Sequence, residues 1–557
     1  MFVFVHHNQN EFVSQQVLRQ SVSNPNPRAY EAPERADNSL RRGDLLFGLL
    51  AFVIAVLVTR GLIERPGYTD AYYHFNAAHR LVTGEGLTDP YLWTYIGAPA
   101  SFPAPSHRYW MPLTSLIAAA GMAATGRASD YGAAQWPFTL LFAGTALVAY
   151  GLGLKLGGGR RYAWLAGLLA LFSGFFTRFW GATDTFTPYA LIGSLCLLAF
   201  AQATTHAISG PRTALGWMAL GGVFAGLAHL TRADGVLLLL IGWGAWLWPV
   251  RKTGFSWRLG GLVAATLTYL LVMAPWFARN LALEGTPLPL GGTQGIWFTE
   301  YNDLFSYPAD ASVERFFSQG GIGLFLKTRW EAFSTNLMTF IAVEGMVFLT
   351  PLMLVGLWQR RTVPFLRPFW LYALGLHLAM TVIFPYPGMR GGLFHSAAAL
   401  VPWWAALASV GLDDAIDWIA SRRRRWRPAT ARRFFSVAMI VFALVFSLWI
   451  AARGRVDSSI PALYRALDAV LPEDARVMIN DPAELYYFTG RGGVVLPNEP
   501  PETILEIARR YNVDYLLLEG PASMTKPLWA LYDETPDFLE PLPFDAPDPV
   551  RLYAIKT

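Results

Sequence analysis

The chain has 557 residues, 54% of them hydrophobic and 15% charged, with 44 Lys and Arg against 39 Asp and Glu for a net charge of +5. A soluble globular protein carries about 25% charged residues, so these proportions exclude an ordinary water-soluble enzyme. The single cysteine, Cys196, lies in an apolar run and excludes a disulfide framework.

In chain order, Met1 to Asn38 is polar, and its MFVFV start is too short for a signal-peptide core. It reads as a disordered cytoplasmic tail, residues 1–43, ending at the Arg41-Arg42 pair. A membrane-crossing helix needs about 20 apolar residues. Such stretches begin near Leu45, Gly132, Tyr162, Phe186, Ala214, Gly235, Gly260, Asn336, Phe369, Gly392 and Phe435, which predicts about eleven spans within residues 44–452. The stretch Met111 to Thr125 is shorter and opens with Pro112. If it lies along the surface without crossing, then Lys155, Arg160 and Arg161, Arg212, Arg251 with Lys252 and Arg258, Arg360 with Arg361 and Arg367, and the run Arg422 to Arg425 all share the N-terminal side. The positive-inside rule favours that arrangement. The RRRRWR run (Arg422 to Arg427) then reads as a topology determinant and anionic-lipid contact, not a nucleic-acid site.

The opposite face collects the first loop from Glu64, the turns around Asp184 and Arg232, a long loop from Arg279 to Trp330, the turn Phe384 to His395, and the tail after Arg453. The tail is not membrane-like. RVMIN (Arg476 to Asn480) and VDYLLLE (Val513 to Glu519) read as strands and PETILEIARRYN (Pro501 to Asn512) as an amphipathic helix, giving a small α/β domain over 453–557 on the outer side. The fold class is therefore an all-α polytopic membrane bundle with an extracytoplasmic α/β domain at its end, in a multi-pass protein of the cell membrane.

Candidate chemistry gathers on that outer face. Asp70 begins a predicted helix, Ala71 to Val82, stopped by Gly84. It reads either as an N-cap or as a general base or metal ligand. His74 shares its helix face four residues on. Asp184, in WGATDTFTPY, reads either as an N-cap or solvated loop charge, or as a second carboxylate brought to the same face as Asp70. Arg232 and Asp234 end one span as either a neighbour pair in a tight turn or a phosphate-binding group; Arg390 ends another beside Gly391, Gly392 and His395, either snorkelling to lipid headgroups or meeting a phosphate. In the long loop, Glu300, Tyr301 and Asp303 face a possible acceptor or plain solvent.

These features in this order resemble the GT-C superfamily of membrane glycosyltransferases: Asp70 followed by AYYHFNAAHRL, the apolar segment SHRYWMPLTSL, Asp184 in the second outer turn, and LTRADG. The order holds over nearly the whole membrane part. The TDAYYH element resembles the first loop of archaeal oligosaccharyltransferase catalytic subunits, and other parts resemble protein O-mannosyltransferases and aminoarabinose transferases. The resemblance implies an inverting transfer from a polyprenyl- or dolichyl-phosphate (or pyrophosphate) sugar to a protein, lipid or glycan. In it Asp70 is the base, Asp184 orients substrate or joins Asp70 in holding a divalent cation such as Mg or Mn, and Arg390 with Arg232 meets the leaving phosphate. His74, Asp234, His395 and Glu300 complete the implied substrate contacts. Two motifs depart from the pattern: Trp403-Trp404 is followed by Ala405-Ala406 where oligosaccharyltransferases have WWDYG, and Asp184 opens no DxD. The alternative is a transporter or lipid flippase of the envelope, which internal repeats would favour; the sequence has none.

Overall fold

The computed structural model describes residues 42–557 except 98, 208–209, 249–254 and 547. The expected N-terminal tail, including Arg41, and the basic pair Arg251 and Lys252 lie outside the described residues. Among the described residues, eight helices are long and apolar enough to cross a membrane: Arg42–Leu62, Tyr131–Gly157, Phe186–His206, Pro211–Thr231, Ser256–Glu284, Pro364–Ile383, Pro385–Ala420 and Pro428–Arg453. The protein is a polytopic membrane protein. The remaining three expected spans are short or interrupted. Arg160–Leu171 has 12 residues, or about 18 Å at 1.5 Å per residue, against a hydrocarbon core of about 30 Å. Ala233–Leu247 is a shorter apolar helix. Gly321–Met338 passes into a π-helical turn, Thr339–Glu344, and the chain resumes as Thr350–Arg360.

We label the helices α1 (Arg42–Leu62), α2 (Thr69–Val82), α3 (Leu113–Thr125), α4 (Tyr131–Gly157), α5 (Arg160–Leu171), α6 (Phe186–His206), α7 (Pro211–Thr231), α8 (Val236–Leu247), α9 (Phe255–Glu284), α10 (Gly321–Met338), α11 (Thr350–Arg360), α12 (Arg367–Leu378), α13 (Val401–Ala420) and α14 (Pro428–Arg453).

Polar clasps mark the two ends of the bundle. At one end Arg160 pairs with Asp44 at 2.9 Å, Arg161 with Asp413 at 2.8 Å, Arg360 with Asp414 at 2.5 Å, and Arg432 with both Asp413 and Asp417. These join the start of α1 to that of α5, and α13 to α5, α11 and α14. At the other end the Gln135 side-chain amide reaches the carbonyls of Thr59, Ile63 and Gly181 at 2.8 to 3.1 Å. The segment after α5 therefore meets the far end of α1. It does so through a 3-10 turn, Gly174–Arg178, that opens at Gly174 with φ +62, and then through irregular chain up to Thr185. Non-helical backbone at membrane depth is tolerated only where protein satisfies it. Here Ser447 accepts the Gly174 N–H at 2.9 Å and Thr187 donates to the Trp180 carbonyl at 2.6 Å. The apolar helix α3 has 13 residues. Ser115 near its start bonds His74 at 2.8 Å, and Asp130, just beyond its end, caps α4, so α3 lies between α2 and the start of α4.

Small residues set the helix spacing. A Cβ on Gly356 of α11 would sit 2.2 Å from the Leu407 carbonyl, and one on Gly411 of α13 would sit 2.0 Å from that of Leu352. Such close backbone approach is a usual basis of helix association in lipid.

The C-terminal region contains the predicted strands and helix: Val477–Ile479, Tyr515–Leu518 and Glu502–Tyr511. Its sheet has six strands, β1 (Tyr91–Leu92), β2 (Val477–Ile479), β3 (Gly493–Val495), β4 (Tyr515–Leu518), β5 (Leu539–Pro541) and β6 (Arg551–Ile555), in the order β1-β3-β2-β4-β6-β5. The first four positions are parallel and the last two join antiparallel. The edge strand β1 comes from the first loop and pairs Tyr91 with Gly493. The expected α/β domain thus incorporates a strand from outside residues 453–557.

Candidate active site

The helix α2 opens at Thr69, and Tyr68 before it is extended and makes no side-chain cap. Asp70, in the first turn, is therefore not an N-cap. The capping carboxylate in this loop is Asp130, which accepts the N–H groups of Gly132 and Ala133. Asp184 is not an N-cap either, because Thr185 holds that position at α6. Both carboxylates are left for the space between the helices.

They meet at His395. Its Nε2 is 3.8 Å from Asp70 Oδ2 and its Nδ1 is 3.6 Å from Asp184 Oδ2. The ring stacks on Phe186 at 3.9 Å between centroids, and Thr185 Oγ1 lies 2.9 Å from Nδ1, so the imidazole is fixed in orientation. Asp70 Oδ1 accepts the Trp110 indole N–H at 3.1 Å. Asp184 accepts the Tyr68 hydroxyl at 2.8 Å and the Thr185 N–H at 2.5 Å. Tyr68, Trp110 and Thr185 carried no sequence signal beyond adjacency to segments already singled out.

The two carboxylates differ in charge state. Burial, then the charge of Asp184, raises the Asp70 pKa to about 7, against the Trp110 N–H and the Arg232 charge. Its side chain still keeps 30% of its free exposure, so a substrate can reach it. Burial also pushes Asp184 up, but His395, His74 and the hydrogen bonds from Thr185 and Tyr68 outweigh it and hold Asp184 below its ordinary value. Two like charges this close do not ionise with equal ease.

His74 is fully buried behind Asp70, with Nδ1 on Ser115 at 2.8 Å and Nε2 without a partner among the described residues. Burial lowers its pKa to about 4, so the ring is neutral near pH 7. Arg232 donates to Asp234 at 2.9 Å and to Ser396 at 2.8 Å, and reaches Thr185 at 3.4 Å. Asp234 also accepts the Ser396 hydroxyl, so it is committed to holding the arginine. Arg390 sits at a kink, next to Gly391 with φ +125, and lies exposed with its guanidinium 4.5 Å from the centre of the Tyr301 ring. Burial, then the charge of Asp70, raises the Tyr301 hydroxyl while Arg390 opposes. Tyr301 thus connects Arg390 to the rim. Glu300 is not brought to this cluster: it accepts the Asn498 amide at 2.7 Å and ties the long loop to the α/β region.

Oxygens of Asp70 and Asp184 and a nitrogen of His395 lie within 4.8 Å of one another, a spacing that a metal ion could bridge. Two carboxylates with an imidazole suit Mn or Zn better than Mg, which takes oxygen ligands.

No protein-family profile matches the sequence, and comparison with curated protein sequences gives no match. Solved structures do match. The archaeal oligosaccharyltransferase AglB from Archaeoglobus fulgidus, in complex with an inhibitory peptide and a dolichol-phosphate, aligns over 86% of this chain and 69% of its own, with a TM-score of 0.55 and 13% identity. The same organism's oligosaccharyltransferase in complex with Zn and sulfate aligns over 85% and 67%, with a TM-score of 0.54 and 14% identity. ArnT from Cupriavidus metallidurans bound to undecaprenyl phosphate aligns over 92% and 97%, with a TM-score of 0.54 and 15% identity. At these identities the likeness is one of fold.

Proposed function

We infer that this chain, which has the GT-C fold of those membrane glycosyltransferases, is itself an inverting glycosyltransferase. It moves a sugar from a polyprenyl- or dolichyl-phosphate donor to a hydroxyl-bearing acceptor on the outer membrane face. The observation that carries this reading is the ring of Asp70, Asp184 and His395, with donor atoms within 4.8 Å of one another, with Arg232 reaching Thr185 beside it and Arg390 against Tyr301.

In the reaction Asp70, as carboxylate, takes the acceptor proton while the acceptor oxygen attacks the anomeric carbon from the face opposite the lipid phosphate. Asp184 and Tyr68 fix the inner wall. Arg232 is held by Asp234 and Ser396, so its fork is oriented before substrate arrives. Arg390 is exposed and free to meet the phosphate that leaves with the bonding electrons. Asp70, Asp184 and His395 are the residues that would hold a divalent cation, which supplies positive charge against the departing phosphate.

The finer topology is part of the same proposal: eleven crossings over 44–452, the N-terminus in the cytoplasm, and residues 453–557 outside the cell membrane. The acceptor is a protein, lipid or glycan. The test is incubation of purified protein with a panel of lipid-phosphate sugars, reading released lipid phosphate. Release from at least one donor, lost in Asp70→Asn, is the expected result. Uptake of substrate into proteoliposomes with no release from any donor would replace the enzyme by a transporter.

A further inference from the structure

A trough of about 1020 Å³ runs between α10, α11 and α12, away from the carboxylate rim. Its wall is apolar along Phe333, Leu337, Leu354 and Leu374. Two π-helical turns, Thr339–Glu344 after α10 and Ala379–Ile383 after α12, flank it. Such turns widen a helix locally and often mark functional sites. The polar groups along it are unequally satisfied. At mid-depth Glu344 and His377 face each other at 3.0 Å, and the Trp404 indole donates to the second Glu344 oxygen at 2.9 Å. Asn336 leaves an acceptor oxygen unmatched.

An unmatched donor and an arginine without an ion pair meet at one mouth. The indole N–H of Trp370, on the trough wall, has no acceptor among the described residues. Arg361, exposed at the same mouth, stacks on Trp358 at 4.0 Å from the ring centre and makes no ion pair among the described residues. The adjacent Arg360 is satisfied by Asp414, so the mouth lies at the bundle end that carries the arginine clasps. A long apolar slot ending in an arginine and an indole donor is complementary to a molecule with a hydrocarbon chain and an anionic head. Tryptophan and arginine are the residues that hold such heads at a bilayer surface.

We propose that this trough binds an anionic membrane phospholipid, its phosphate on Arg361 and Trp370 and one acyl chain along Leu337, Leu354 and Leu374. The site lies at the opposite end of the bundle from Asp70 and takes its lipid from the leaflet on the arginine-rich side. It is independent of the glycosyl-transfer reading.

The test is native mass spectrometry of the full chain released from nanodiscs of equal phosphatidylglycerol and phosphatidylcholine. One retained phosphatidylglycerol per chain is expected, with occupancy at least fivefold lower in the double variant R361Q/W370F. Trp370→Phe removes only the N–H and part of the ring, and Arg361 is exposed, so both leave the core intact. Should the double variant fail to insert, R361Q alone is read, with at least a twofold fall expected. Equal retention of phosphatidylcholine, or unchanged occupancy in the variants, overturns the proposal. So does displacement of the bound lipid by added polyprenyl phosphate, which would assign the trough to a sugar donor.

Discussion

Asp70 and Asp184 share one imidazole but differ in what else they touch. Asp184 has a backbone N–H and a phenol, and Asp70 has one indole N–H. That asymmetry leaves the proton on Asp70 at low pH and makes Asp70 the one of the pair that titrates near neutral pH. Asp70→Asn is expected to lower the transfer rate by about 10²- to 10⁴-fold, the span of a lost general base, with helicity and membrane insertion unchanged by circular dichroism and fractionation. Only the carboxylate accepts a proton, so kcat/KM should rise with pH and level off above about 7, the value to which Asp70 is raised. Asp184→Asn removes the neighbouring charge and should move that acid limb to lower pH; a limb that stays put would detach it from Asp70. The sign for stability is the reverse. The folded chain keeps this proton where an unfolded carboxyl, at 3.8, has lost it. Folding stability from this group therefore declines as pH rises from about 4 to about 7 and is level beyond. Asp70, Asp184, Arg232 and His395 were all legible as one-sided charges at helix ends. Their partners Tyr68, Trp110 and Ser396 were not, because a hydrogen bond between residues 40 to 164 positions apart leaves no local pattern.

The helix that carries Asp70 is held from outside the membrane. Thr69 donates to Asp481 at 2.5 Å, Tyr72 to Glu484 at 3.0 Å, Asn76 to the Ala483 carbonyl at 2.8 Å, and Arg80 to Tyr486 at 3.0 Å. All four partners lie on or just before the helix Pro482–Thr489, and Asp481 also caps that helix through Ala483 and Glu484. Two substitutions separate these duties. Asp481→Ser keeps a capping hydroxyl but loses reach to Thr69, while Asp481→Ala loses both. Both are expected to lower transfer about tenfold. Only Asp481→Ala should also lower unfolding free energy, by about 1 kcal/mol for the lost cap, read from a denaturant titration. Equal destabilisation by both would mean that the Thr69 contact, not the cap, carries the stability. At this scale the long apolar helices followed directly from residue composition. The short α5, the interrupted α10 and the irregular chain around Gly174 did not, because an apolar run looks alike whether it is helical throughout or relies on Ser447 and Gln135 to satisfy open backbone.

Across the whole molecule, charge falls into two populations. Arginine clasps gather at one end of the bundle, and Asp70, Asp184 and the α/β region at the other. In a chain with Cys196 replaced by Ala, single cysteines at Gly84 and Glu534 should react with an impermeant maleimide from outside intact cells. One at Ser421 should react only after permeabilisation. Labelling of Ser421 from outside would invert the topology. The α/β region was visible in the sequence as strands and a helix, but its edge strand was not: Tyr91–Leu92 is two residues long and draws its pairing from a distant part of the chain.

That edge strand bears on how the protein is made. Tyr95, just past it, donates its hydroxyl to the Val495 carbonyl, 400 positions later. At a ribosomal rate of about 5–20 residues per second, the first loop waits about 20 to 80 s outside the membrane before its pairing partner emerges. During that interval the nascent segment exposes a bare β edge and the underside of the helix bearing Asp70, so a chain terminated before residue 495 should be fully inserted yet remain a target for chaperones and proteases on that side of the membrane.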